Sequence, residues 1–261
     1  YRYLFNIVLI FLWAFFDLPM VYAVLTFVIT DMLMSVYLHF LTRKDFSVNS
    51  VTKEWTGIHL IFGGKSILTE IISSVYARVP IIIVGYYLGD SSSGMYSIAS
   101  TMASGILIIA SILQDNFNPV VANLHSAGDF EQLDKYVRKL RRFSYLSLIP
   151  LIAGSMIVYK IYLLFLGKQY NETTSIYYIL ISGVALTYLV SWAGGVLTMT
   201  GNQMLNLLRI GVTLFFEIAG CFVLVPHYGV AGAAVAFSFS ALVNIIVLYF
   251  FVLHRTKIKI L

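Results

Sequence analysis

Gln203-Met-Leu-Asn206-Leu-Leu-Arg209-Ile-Gly-Val-Thr213-Leu-Phe-Phe-Glu217-Ile-Ala-Gly-Cys221-Phe-Val-Leu-Val225 decides what kind of molecule this is. The run is 23 residues long and almost wholly apolar, and about 20 such residues in a helix cross the hydrocarbon core of a bilayer. Asn206, Arg209, Thr213 and Glu217 recur at steps of three or four, so a helix gathers them on one face. A helix with one wet stripe and three greasy sides belongs in a bundle, with lipid outside and its polar groups around a hydrated interior.

Seven further apolar stretches extend the pattern: Tyr3–Phe16, Leu18–Leu41, Ser66–Leu88, Ser93–Asn118, Phe143–Leu166, Thr173–Leu197 and Gly229–Leu253. With 59% hydrophobic and only 11% charged residues, the chain lies far from the balance of a soluble domain. The expected fold is all-α, a polytopic membrane helix bundle of about eight transmembrane helices. The chain opens on Tyr1 with neither an initiator Met nor a signal-peptide profile, and its first stretch is short. A fragment lacking earlier spans is expected.

Basic residues set the orientation. Arg43, Lys44, Lys53 and Lys65 mark the segment Arg43–Lys65 as cytoplasmic. Alternation then places Arg2, Val120–Arg142 with Lys135, Arg138, Lys139, Arg141 and Arg142, and the tail with Arg255, Lys257 and Lys259 on that same side. The opposite loops carry Lys168 as their one clear basic residue. Both ends of the segment are therefore expected in the cytoplasm. The net charge of +5 is accounted for by loops beside anionic lipid and gives no reason to expect nucleic acid. The single cysteine, Cys221, excludes a disulfide framework within the chain, and no Cys/His cluster has metal spacing.

Two connections carry patterns of their own. Val51, Trp55, Ile58 and Phe62 recur at helical spacing opposite Lys53 and Glu54, which predicts an amphipathic helix in the cytoplasmic interface. Asp129 and Gln132 fit a capping box, followed by the apolar stripe Phe130, Leu133, Val137 and Leu140 among basic residues. That pattern predicts a surface helix touching lipid headgroups.

Polar residues inside the spans are the functional signal, because a charge at bilayer depth costs from about 3 kcal/mol upward unless it meets a partner or water. Asp31, Ser35 and His39 share a face of the second span, and Glu70, Ser74 and Arg78 share one of the third. Ser97, Thr101, Ser104, Ser111 and Asp115 line the fourth. Serines and threonines also serve close helix packing, and Asp115 and Arg209 near span ends reach toward headgroups. Arg78 and Glu217 sit near mid-span. Two roles stay open for them: pairing with each other or with Asp31, or meeting substrate and coupling ion. Pro80 and Pro150 remove backbone donors within spans. Gly229/Ala233 and Gly232/Ala236 form small faces suited to tight helix contact.

From Glu70 onward the chain resembles the C-terminal half of polysaccharide and O-antigen flippases of the MATE-like multidrug/oligosaccharidyl-lipid/polysaccharide superfamily. The resemblance rests on Arg78-Val-Pro-Ile-Ile-Ile-Val-Gly85-Tyr-Tyr-Leu-Gly89, Gly94-Met-Tyr96-Ser-Ile-Ala99, Asn118-Pro119, Leu166-Gly167-Lys-Gln-Tyr170 and Pro226-His-Tyr-Gly229-Val-Ala-Gly232-Ala-Ala. Where many relatives carry an acidic residue just after the arginine, this chain has Val79-Pro80. The resemblance implies a MATE-like fold of two six-helix lobes. Residues 1–42 would be the last two helices of the N-terminal lobe, 43–65 a cytoplasmic amphipathic linker, and 66–261 the complete C-terminal lobe. It further implies a transporter of the bacterial inner membrane that flips a polyprenyl-pyrophosphate-linked oligosaccharide for cell-surface polysaccharide synthesis, by alternating access and without covalent chemistry.

The implied cavity residues are Arg78, Arg209, Glu217, Asp31, Asn206 and Thr213. Arg78 and Arg209 would meet the pyrophosphate, since guanidinium groups suit oxyanions. Glu217 and Asp31 would accept sugar hydroxyls or carry a coupling proton. The expected partners are the lipid-linked oligosaccharide, membrane lipid and H+ or Na+ as coupling ion, with no cofactor. The rivals are a MATE-type exporter of small cations, favoured by a cavity dominated by acidic groups, and a membrane enzyme acting on lipid-linked sugars. The enzyme would need catalytic groups on a sizeable outer loop.

Overall fold

The computed structural model describes residues 2–16, 19–43, 53–167, 170 and 172–256. Lys44 and Val51, the loop residues Lys168 and Asn171, and Lys257 and Lys259 lie outside the described residues, as do the side chains of Arg2, Lys53, Glu54, Trp55, Ile58 and Arg255. What is described is helical throughout, without a strand among the described residues: α1 Arg2–Phe15, α2 Met20–Thr42, α3 Lys53–Ser126, α4 Phe130–Leu166, α5 Thr173–Met199 and α6 Gln203–Thr256. Among the described residues, Leu25–Thr42, His59–Ser126, Phe130–Leu166, Thr173–Met199 and Gln203–Phe251 are long and apolar enough to cross a membrane.

Two of these helices are not straight rods. Gly89 has φ 82° and ψ 177°, and Gly229 has φ 61° and ψ −144°, within α3 and α6 respectively. Such positive φ values suit glycine because it has no Cβ to clash. Ser93 Oγ donates to the Ile81 carbonyl at 3.1 Å. Twelve residues of straight helix would separate these groups by about 18 Å. The chain therefore doubles back at Gly89. In α6 a Cβ built on Gly220 would lie 3.1 Å from the Ala236 methyl, which requires the same reversal at Gly229.

The chain divides into two compact units, Tyr1–Leu60 and Ile61–Leu261. The division falls within α3 and inside the stretch 43–65. No break separates that stretch from the third apolar span, because α3 runs on through Lys65 and Ser66. In the first unit α1 packs on α2, and Thr30 Oγ1 donates to the Thr26 carbonyl at 2.8 Å, satisfying a buried hydroxyl within its own helix.

The second unit is built around α5, which buries Leu180, Val184, Tyr188, Trp192 and Val196 among others. Three hydroxyl pairs tie it to α4: Ser147 with Tyr188 at 2.7 Å, Ser155 with Tyr177 at 2.7 Å, and Tyr159 with Thr173 at 2.6 Å. The rings of Tyr159 and Tyr177 stack with centroids 3.9 Å apart. On the other side α5 approaches α6 so closely that a Cβ on Gly183 would lie 2.8 Å from Ser238 Cα. Small residues do here what small faces do in membrane bundles, letting backbones meet where hydrocarbon offers no hydrophobic drive.

The basic helix is the start of α4, continuous with the span that follows. Asp129 caps it, its Oδ1 accepting from the Gln132 amide at 3.0 Å, while Lys135 and Arg138 pair with Glu131 and Asp134 one turn earlier. The apolar stripe differs from expectation. Leu133 and Val137 are buried against Phe117, Val121, Val196 and Leu248, so the stripe is core and Phe130 alone is left exposed. Elsewhere the outward face of α4 is apolar: Leu146, Ile149, Leu164 and Phe165 are each at least three-quarters exposed. A soluble protein rarely shows so large a contiguous apolar surface, and hydrocarbon is the medium that suits it.

Two polar hollows form the candidate functional site

Three of the four polar residues of the 203–225 stripe, Asn206, Arg209 and Glu217, are distributed over two adjacent hollows of the second unit, which share Leu107. The first has a volume of about 420 Å³. Tyr76 and Arg78 reach it from the limb of α3 before Gly89, Ser97, Thr101 and Ser104 from the returning limb, and Glu217 from α6. Reversal at Gly89 is what brings the third- and fourth-span stripes to one place. Pro80 lines the same hollow, and its missing amide frees the carbonyl four residues earlier, that of Tyr76.

Glu217 is fully buried, and neither carboxyl oxygen has a hydrogen-bond partner among the described residues. Arg78 lines the hollow beside it but is itself exposed and does not pair with it. Tyr76 Oη and Ser240 Oγ lie 3.1 Å apart and close another side. Ser100 and Ser104 donate their hydroxyl protons to the carbonyls of Ser97 and Thr101, each at 3.1 Å. Their oxygens keep lone pairs for a guest.

The second hollow, about 390 Å³, is built on Arg209. Its Nε donates to Asn206 Oδ1 at 3.0 Å and its Nη1 to Asn244 Oδ1. Asn206 Nδ2 in turn donates to Thr198 Oγ1 at 3.2 Å. Gln114 Nε2 donates to the Ser191 carbonyl at 3.1 Å, while Asn118 Oδ1 is buried without a partner among the described residues. Two glycines of α5 make room: a Cβ on Gly194 would lie 3.3 Å from Arg209 Nη2, and one on Gly195 2.5 Å from Asn118 Oδ1. Side chains of both limbs of α6 thus meet on one guanidinium, and α3 and α5 complete the hollow around it.

Of the six residues singled out from the sequence, Arg78 and Glu217 line the first hollow, and Asn206 and Arg209 the second. Thr213 lines neither; it is buried and donates to the Arg209 carbonyl at 2.8 Å. Asp31 lies on α2 of the first unit, exposed at that unit's surface, whereas both hollows are lined by second-unit residues alone. Ser111 and Glu70 line the second hollow, and Asp115 lines neither. Tyr76, Gln114, Asn118 and Asn244 escaped the sequence reading. A lone amide such as Asn244, set among Leu242, Val243, Ile245 and Ile246, carried a signal nonetheless, since an unpaired polar group in hydrocarbon is costly.

Comparison with known proteins adds a family. Residues 3–175 match the family described as "Polysaccharide biosynthesis protein". The chain is also similar to the capsular polysaccharide biosynthesis protein CapF of Staphylococcus aureus, with 26% identity over 182 residues. The aligned part is 69% of this chain and 46% of that protein, so the chain spans less than half the length of the curated relative it matches. No solved structure matches the chain.

Proposed function

The chain belongs to the polysaccharide biosynthesis protein family, and from that premise we propose that it is part of a membrane transporter that flips a polyprenyl-pyrophosphate-linked oligosaccharide across the inner membrane. The observation that carries this reading is the gathering of charged and polar side chains into two adjacent hollows within a lipid-facing helix bundle. Sugars and pyrophosphate need a wet path through hydrocarbon, while the polyprenyl tail needs none. The protein performs no covalent chemistry in this account. The outer-side bends at Gly89 and Gly229 fall inside α3 and α6 and join their limbs without a sizeable outer loop.

With α3 and α6 each counted as two limbs, the chain crosses the membrane eight times and leaves both its ends in the cytoplasm, as the positions of the basic residues require. The second unit then corresponds to one six-helix lobe of a MATE-like pair that rocks between inward- and outward-open states. Arg78, exposed at the first hollow, meets the pyrophosphate. Glu217, buried without a partner, is the group through which a coupling H+ or Na+ would act.

Glycan export by the full-length protein tests the assignment. Arg78→Ala should cut export roughly ten- to hundred-fold at normal protein levels, since a hydrogen bond to a charged group contributes about 1.5–3 kcal/mol. Export at the wild-type rate would remove Arg78 from the path.

A further inference from the structure

Arg209 presents a guanidinium already engaged on two edges, and this engagement fixes the chemistry around it. Arginine only donates, so the amide oxygens of Asn206 and Asn244 must both face it. The amide nitrogens therefore point away: that of Asn206 reaches Thr198, and that of Asn244 is left as a donor beside the hollow it lines. Acceptors stand close by. Gln114, whose nitrogen is committed to Ser191, keeps its oxygen to accept; Asn118 Oδ1 has no partner among the described residues but is shielded against Gly195. Glu70 adds a carboxylate to the same lining.

A phosphate offers acceptors only and would find Gln114 Oε1 and Glu70 repelling it. A sugar hydroxyl both donates and accepts, and mixed donors and acceptors on small rigid amides are what it can satisfy. The volume of about 390 Å³ falls in the range of roughly 300–1,000 Å³ usual for small-molecule sites. We propose that the second hollow is a sugar-binding subsite, in which Gln114 accepts from and Asn244 donates to hydroxyls of a neutral sugar. Arg209 is the residue that holds Asn206 and Asn244 in register. This rests on the flippase reading and narrows it, for it takes Arg209 away from the pyrophosphate.

The test compares two lipids bound by the full-length protein in nanodiscs: the polyprenyl-diphosphate glycolipid isolated from the source membranes, and bare polyprenyl diphosphate. Gln114→Ala removes the acceptor, and any effect of its lost bond to Ser191 on the fold is common to both lipids. Asn244→Asp keeps an oxygen on Arg209 while replacing the donor with an acceptor and adding a negative charge. Each should weaken the glycolipid about ten-fold, the scale on which a site built to bond a hydroxyl discriminates, and leave bare polyprenyl diphosphate within about two-fold of wild type. Unchanged affinity for both lipids, or equal loss for both, would overturn the sugar subsite and leave the flippase reading standing. Failure of the wild-type protein to bind the glycolipid at all would overturn both.

Discussion

The side chains around Arg209 show how a charge is kept in an apolar bundle. No carboxylate among the described residues pairs with it; two amide oxygens solvate it from separate limbs of α6. The bonds are mutual, so Arg209→Met and Asn244→Leu should not add in their effect on thermal stability. A coupling of about 0.5–3 kcal/mol is expected in a double-mutant cycle, and additive effects would mean that the network holds nothing together. Glu217 is the opposite case. A buried carboxylate without a partner is a cost to the fold. Glu217→Gln should therefore match or exceed the wild-type melting temperature in detergent while impairing transport. A clear drop in melting temperature would reveal a structural partner.

At the scale of the element, glycine positions separate packing from turning. Gly183 faces the backbone of Ser238, which cannot give way as a flexible side chain would. Gly183→Ala should destabilise by about 1–3 kcal/mol, the usual result of overpacking. Gly105 and Gly211 have open space beside them, and there alanine should stabilise by up to about 1 kcal/mol through helix propensity. Equal melting temperatures for all three variants would contradict the α5–α6 contact.

Much of the helical pattern was legible from apolar run length, and the Asp129 cap from its residue type. The reversal at Gly89 was legible too, as the break between the third and fourth apolar stretches, which alternation of sides requires to run in opposite directions. Two features were not. The stripe with Leu133 and Val137 looks the same to periodicity whether lipid or protein covers it. Stripe geometry likewise places Thr213 among the cavity residues, although its hydroxyl is satisfied one turn back within its own helix. The legible part of the site was charge in apolar context; the amides of Asn118 and Asn244 became visible only when separate helices met.

The whole molecule is a second unit with a lipid-suited exterior and an apolar core that holds two polar hollows, preceded in sequence by a smaller first unit. Orientation is testable at this scale in an otherwise cysteine-free full-length protein. In intact cells a membrane-impermeant maleimide should label Tyr228→Cys, beside the bend at Gly229, while Arg138→Cys on the basic helix should label only after permeabilisation. The reverse pattern would invert the topology.

The most direct measurement is transbilayer movement itself. Full-length protein is reconstituted into vesicles loaded on one leaflet with the native polyprenyl-diphosphate oligosaccharide, and appearance of the glycan on the other face is followed with an impermeant lectin. The account predicts movement that depends on the protein and is lost in Arg78→Ala. Glycan that stays on its starting leaflet, or crosses equally well with and without the protein, would contradict it.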